Sequence, residues 1–288
     1  MGVLASIVNR SISGNFSSGM FFSIRDYAFR YCKNLTSVSF PNATSIGEAA
    51  FYECNSLTSV SIPKATSIGK NAFYKCSGLT SASFPNAPGI SDYAFNECSN
   101  LTEVSFPLVT SIGKSAFYKC SSLTEVSFPK ATSIGWYAFQ SCSGLTSVSF
   151  PEVTSIGYQS FISCSGLTSV SFPVATSISN QVFQSCTSLT EVSFPVATTI
   201  GEYAFYQCSG LTSASFPKAT SISTYAFKNC SALTTLYIGT ESDTICTLSS
   251  TNAIPSSVTD IYVPATLVDS YKSATNWSSF ASKIKATP

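Results

Sequence analysis

The chain has 288 residues, 44% hydrophobic and only 10% charged, with a net charge of +1 and no histidine. Core-forming material is ample, and Ser and Thr stand where charge is usual, since typical soluble domains are about 25% charged. The near-zero balance without a basic stripe argues against nucleic acid, the lack of an apolar run of about 18 residues argues against a membrane-spanning helix, and the missing histidine excludes Ser-His-Asp, Cys-His and His-based metal chemistry.

The first 23 residues carry scattered apolar side chains (Ile7, Val8, Ile12, Phe16) outside any motif. Met1–Phe16 shows no charged segment leading into an apolar stretch and cleavage site, so no secretory signal is read there. Residues 1–23 are expected to form an N-terminal cap.

From residue 24 to 243 the chain repeats every 22 residues. Cysteines fall at this interval without interruption from Cys32 to Cys230, ten in all. The template is L-x-x-V-x-F-P-x-A-T-S-I-G-x-x-A-F-x-x-C-S-x. Its leucine runs from Leu35 to Leu233, its isoleucine from Ile24 to Ile222, and its second phenylalanine from Phe29 to Phe227. A self-similar period of this length is the signature of a solenoid. In each unit the segment "LTSVSF" alternates as a half-buried strand does, with Leu35, Val38 and Phe40 inward and Ser37 and Ser39 outward. Pro41 lacks an N–H and ends the strand. The second half, "SIGEAAFYEC", spaces Ile46, Ala50, Phe51 and Cys54 at near-helical intervals, which predicts a turn followed by a short helical or 3₁₀ segment.

The fold expected is therefore an α/β solenoid of leucine-rich-repeat type. It is a right-handed superhelix of about ten 22-residue coils, with one parallel β-sheet and short helical or 3₁₀ pieces. Eleven strands would give a sheet face about 50 Å long. Residues 244–288 form a C-terminal cap: Val258, Ile261 and Val263 carry a last strand. Leu267, Tyr271 and Ala274, then Trp277, Phe280 and Ile284, fit one or two short amphipathic helices.

The cysteine column admits three readings. Stacked coils leave equivalent Cβ atoms about 4.8 Å apart, whereas a disulfide prefers about 3.8 Å. A straight column cannot supply the tetrahedral sulfur set of zinc. Free Cys packs as a small hydrophobe. Reduced core thiols are the favoured reading, with partial disulfide bonding and a metal or redox role as weaker alternatives. Cys246 is out of register and could be exposed, although a buried cap position is favoured. The recurring single glycine is a turn residue, not part of a phosphate loop. Carboxylates are scattered over variable positions and mark no catalytic pair. No cofactor is expected, and the chain reads as non-enzymatic.

What remains is surface. The outward strand positions form two hydroxyl-rich columns broken by three glutamates. Ser83, Glu103, Ser105, Glu125, Ser127, Ser149, Ser171, Glu191 and Tyr237 make up the candidate binding face. Hydroxyls both donate and accept, so such a face suits glycans, peptide backbone or ordered water. A second face offers Tyr52, Tyr74, Tyr118, Tyr206 and Trp136, residue types favoured at interfaces.

The motif L-x-x-V-x-F-P followed by I-G-x-x-A-F-x-x-C resembles the BspA-type leucine-rich repeat of bacterial surface proteins, over about residues 24–243. The ending "IYVPATLVDSYKSATNW" is similar to the tails of such proteins from gut bacteria. The chain departs from the wider leucine-rich consensus at the ninth position. Ala43, Ala65, Ala87 and Val109 stand where Asn or Cys is usual, so no asparagine ladder is expected. The resemblance implies a secreted or cell-surface scaffold for adhesion and protein–protein interaction, binding protein or glycan ligands on host or bacterial surfaces. It implies no catalytic residues, no nucleic acid and no membrane insertion by this chain. The alternative reading is a structural spacer or a phage-tail-type fibre segment without a ligand of its own. A third, an ice- or crystal-binding array, is disfavoured by the three glutamates in the lattice.

Overall fold

The computed structural model describes residues 2–4 and 13–288. Ile7, Val8 and Ile12 of the expected N-terminal cap lie outside the described residues, while Phe16 packs 5.3 Å from Phe29 and 5.6 Å from Phe40.

The solenoid has two series of parallel strands, where the sequence predicted one sheet. The first series is the expected one, with strands such as Leu35–Ser39, Ser81–Ser83 and Glu125–Ser127. It holds thirteen strands from Gly14–Ser17 to Ile284–Ala286, two more than expected, in hydrogen-bonded groups of three, two, three and five. At about 4.8 Å per step this face is about 60 Å long. The second series consists mostly of two-residue strands at the S-I positions, such as Ser45–Ile46 and Ser111–Ile112. Register is constant through the central repeats: Ser111 pairs with Ser133, and Ile112 with Ile134. There a shift of 22 residues brings each coil onto its neighbour, so each inward position becomes a column, whereas the N-terminal pairings carry register shifts and the C-terminal coils are longer.

The second series divides once, into groups of four and eight strands, between Ser67–Ile68 and Gly89–Ile90. The cause is in the sequence. In other units the residue before the strand is usually threonine, whose N–H donates to the preceding coil, as from Thr66 to Thr44 O. Here it is Pro88, which has no N–H to give.

The segment expected to be helical is a train of turns. Tyr93, Phe95 and Glu97 donate their N–H groups to Lys114, Ala116 and Tyr118 of the next coil. Ala94, Asn96 and Cys98 donate three residues back. Alternate N–H groups are thus committed between coils, which leaves no helical i→i−4 series. Two residues per unit sit at positive φ, for example Tyr93 (57°) and Glu97 (57°). None of these is glycine, although L residues pay roughly 1–2 kcal/mol there. The inward side-chain spacing was read correctly; the backbone that produces it was not.

Inside, ten phenylalanine rings from Phe29 to Phe227 stack face to face. Their centroids are 5.1–5.6 Å apart and their planes lie within 14° of parallel. Beside them run the Leu, Ile, Cys and second Phe columns, all buried. At the C-terminal end the strand Asp260–Val263 is followed by the helix Val268–Ser273 and the 3₁₀ turn Trp277–Lys283. Tyr271, Trp277 and Phe280 cover the last coil from these elements, all three buried. Ile284, expected to be helical, instead begins the last strand.

Candidate functional site

The nine residues singled out in the sequence lie on the first strand series. Ser83, Glu103, Ser105, Glu125, Ser127, Ser149, Ser171 and Glu191 are exposed, and Tyr237 is half-buried. Their strands pair in register: Ser83 with Ser105, Ser127 with Ser149, and Ser149 with Ser171. Tyr237 pairs with Tyr262, and the two rings stack at 4.9 Å. Glu103 and Glu125, on adjacent coils, fall in different hydrogen-bonded groups, paired with Ser81 and Ser147.

The serine hydroxyls on this face differ from the threonine hydroxyls of two inter-coil ladders. Thr58, Thr80 and Thr102 each donate Oγ1–H to the carbonyl of the equivalent residue one coil earlier, at 3.0–3.3 Å. A second such ladder includes Thr110, Thr132, Thr198 and Thr220. These ladders knit coils together. By contrast, among the described residues no intrachain hydrogen bond engages the hydroxyls of Ser83, Ser105, Ser127, Ser149 or Ser171. They point outward with donor and acceptor capacity intact.

The opposite, turn-bearing face is more varied. Tyr52, Tyr74, Tyr118 and Tyr206 are half-buried; Tyr52 stacks on Tyr74 of the next coil at 4.7 Å, and the Tyr206 hydroxyl accepts from Asn229 Nδ2 at 3.3 Å. Glu53, Lys75, Glu97 and Lys119, each just before a core cysteine, form a column of alternating charge. Glu97 is the main influence holding the Lys75 ammonium above its ordinary pKa. Lys75, Glu97 and Lys119 line an open groove of about 360 Å³ with Ser99 and Ser121. Trp136 alone among these aromatics is strongly exposed, at 59%.

All eleven cysteines are free and buried, Cys246 included. Nine of them, from Cys54 to Cys230, donate Sγ–H to the carbonyl of the phenylalanine 25 residues earlier, at 3.0–3.2 Å. Burial raises the pKa of Cys98, Cys120 and Cys142, so these thiols stay protonated and unreactive. The Cys246 N–H donates to the Tyr271 hydroxyl oxygen at 2.8 Å, and its carbonyl accepts the Trp277 indole N–H at 2.6 Å. Among the described residues no group of three or more Cys, Asp or Glu is arranged to hold a metal ion.

The family profile described as BspA type Leucine rich repeat region matches residues 22–143 and 132–253, with six copies. The chain belongs to the BspA-type leucine-rich repeat family. Solved leucine-rich repeat structures share its fold. One from Bacteroides ovatus is 23% identical, covering 97% of this chain and 85% of its own, with a TM-score of 0.74. The pneumococcal vaccine antigen PcpA is 16% identical over 93% of this chain and 72% of its own, at 0.53. The T. pallidum leucine-rich repeat protein is 24% identical over 73% and 81%, at 0.51. No curated protein matches the sequence. Leucine-rich repeat proteins of this kind are in general scaffolds for protein–protein interaction, not enzymes. No helix among the described residues is long and apolar enough to cross a membrane.

Sequence reasoning found the exposed strand face but missed what the cysteines do. The signal was present, since Cys and Phe both recur at a fixed offset. An S–H donor reaching the previous coil, however, depends on coil stacking geometry that no single unit reveals.

Proposed function

We propose that this chain is a non-enzymatic adhesion scaffold displayed at the bacterial cell surface. It binds a protein or glycan of host or bacterial surfaces through its strand face. The observation that carries this reading is the contrast between the two hydroxyl classes. Threonine hydroxyls are used up between coils, whereas the strand-face hydroxyls of Ser83, Ser105, Ser127, Ser149 and Ser171 have no hydrogen-bond partner among the described residues. A rigid surface about 60 Å long, with few carboxylates (Glu103, Glu125, Glu191 and, paired with Lys285, Asp260), suits an extended ligand that offers many hydrogen bonds. Membership of the BspA-type family supports both the scaffold role and the cell-surface location. The test is a screen of the labelled protein against immobilised host matrix proteins and glycans. Saturable binding to at least one is expected. Silence across the array would instead favour the spacer reading.

A further inference from the structure

We infer that the turn face carries a second, independent site: a platform centred on Trp136 that stacks the pyranose ring of a neutral oligosaccharide. The position just after I-G is occupied across the ten units by Asp26, Glu48, Lys70, Asp92, Lys114, Trp136, Tyr158, Asn180, Glu202 and Thr224. Eight are charged or polar. The two aromatic ones fall on adjacent coils, side by side.

The local geometry makes a braced aromatic surface. Tyr158 meets Trp136 edge-on, with centroids 6.5 Å apart and planes at 76°, and meets Tyr137 at 5.5 Å and 82°. The backbone beneath is fixed: the Trp136 carbonyl accepts the Ser115 N–H at 2.9 Å, and Tyr137 donates to the Tyr158 carbonyl at 3.0 Å. Little ordering entropy remains to be lost on binding. A chain of polar groups borders the rings. Tyr158 Oη–H donates to Gln181 Oε1 at 2.6 Å, Gln159 Nε2 donates to the same oxygen at 2.9 Å, and Gln181 Nε2 donates to Gln184 Oε1 at 2.9 Å. Each primary amide keeps a further N–H, and Tyr158 Oη keeps acceptor capacity.

This combination matches a sugar better than a protein. The C–H face of a pyranose carries weak positive charge and meets the negative face of an aromatic ring, while its hydroxyls need fixed donors and acceptors at the ring's edge. A protein interface needs about 800 Å² per partner with an apolar, fully buried centre. Among the described residues the other large exposed hydrophobics are Met20, Phe22, Tyr27, Leu108 and Val174. None occupies an equivalent turn position on a coil next to Trp136. One indole with an amide border is of monosaccharide size.

The chain has two tryptophans, and Trp277 is buried, so a ligand-induced change in emission reports on Trp136. The test is titration of the protein with cellohexaose, chitohexaose, xylohexaose and mannohexaose. At least one should shift the emission saturably. Trp136→Ala should weaken its binding at least tenfold, measured by calorimetry, with thermal melting unchanged by this exposed substitution, and Gln181→Ala several-fold. A variant with Ser105, Ser127 and Ser149 changed to Lys should bind the sugar normally, which separates this site from the strand face. The proposal is overturned if none of the four sugars perturbs the emission. Equal sugar affinity in Trp136→Ala overturns it too, as does a Trp136 requirement confined to a protein ligand.

Discussion

The sulfur of Cys120 lies 3.1 Å from the carbonyl oxygen of Phe95, a residue of the preceding coil. The same oxygen accepts the N–H of Cys98 at 3.2 Å. Nine of the ten phenylalanine carbonyls, Phe29 to Phe205, thus bind one thiol and one amide, and the cysteine column is a strut between coils. Eleven thiols should therefore be free but inaccessible in the native protein. A thiol reagent should label nearly none before denaturation and all eleven after it. Cys120→Ala removes a weak donor and one heavy atom, and should cost about 1 kcal/mol. Rapid native labelling, or mass evidence of disulfides, would contradict this assignment.

These thiols also set an alkaline limit. Burial pushes Cys164 and Cys246 up to about 12, against an ordinary value of 9.0. The unfolded chain therefore releases protons at lower pH than the folded one. Stability is fully present below about pH 9 and is lost between about 9 and 12, at about 1.4 kcal/mol per pH unit for each thiol. Tyr271, also pushed up to about 12, adds to the trend. Urea midpoints should be flat from pH 7 to 8 and fall above 9. A midpoint constant to pH 11 would mean the thiols are not buried.

Phe117 sits between Phe95 at 5.5 Å and Phe139 at 5.3 Å in the ring stack, fully buried. Phe117→Ala should cost about 3–5 kcal/mol, because stacked coils cannot close over the space. Equilibrium unfolding measures this. A loss under about 1 kcal/mol would place the ring outside the core.

Two glycines, one after and one before a column isoleucine, should behave differently. A Cβ at Gly113 would stand 2.6 Å from the Asp92 nitrogen and 2.7 Å from the Ile90 oxygen, both backbone atoms of the neighbouring coil. Gly113→Ala should therefore destabilise by about 2 kcal/mol or more, as overpacking does. At Gly89, beside Pro88 where the second strand series divides, the nearest atom would be Ser111 Oγ at 3.4 Å. Gly89→Ala should be neutral or slightly stabilising. Equal melting temperatures for the two variants would contradict the close coil contact at Gly113.

Most of this fold was legible because the period multiplies every signal. The inward Leu35, Val38 and Phe40 and the outward Ser37 and Ser39 follow from alternation alone. The turn segment was misread for a physical reason. Ile46, Ala50, Phe51 and Cys54 have helical spacing, but alternate N–H groups bond to the next coil, and Ala49 and Glu53 take positive φ (49° and 55°). Spacing shows which side chains face inward and leaves open where the N–H groups go. The exposed strand face was readable, but the separation of working threonines from unpartnered serines was not. Both are small hydroxyl residues, and only coil geometry decides which reaches a carbonyl.

The central claim is that the strand face binds ligand. Its most direct test is surface plasmon resonance of the best ligand from the array against three proteins. They are the wild type, the Ser105, Ser127 and Ser149 to Lys variant, and a charge-matched control with Ser141, Ser163 and Ser185 changed to Lys. The control positions are equivalent to Lys75 and Lys119 on the turn face, so lysine is already accommodated there. The account predicts at least tenfold weaker binding by the strand-face variant and unchanged binding by the control. Equal affinity for all three, or loss only in the control, would contradict it.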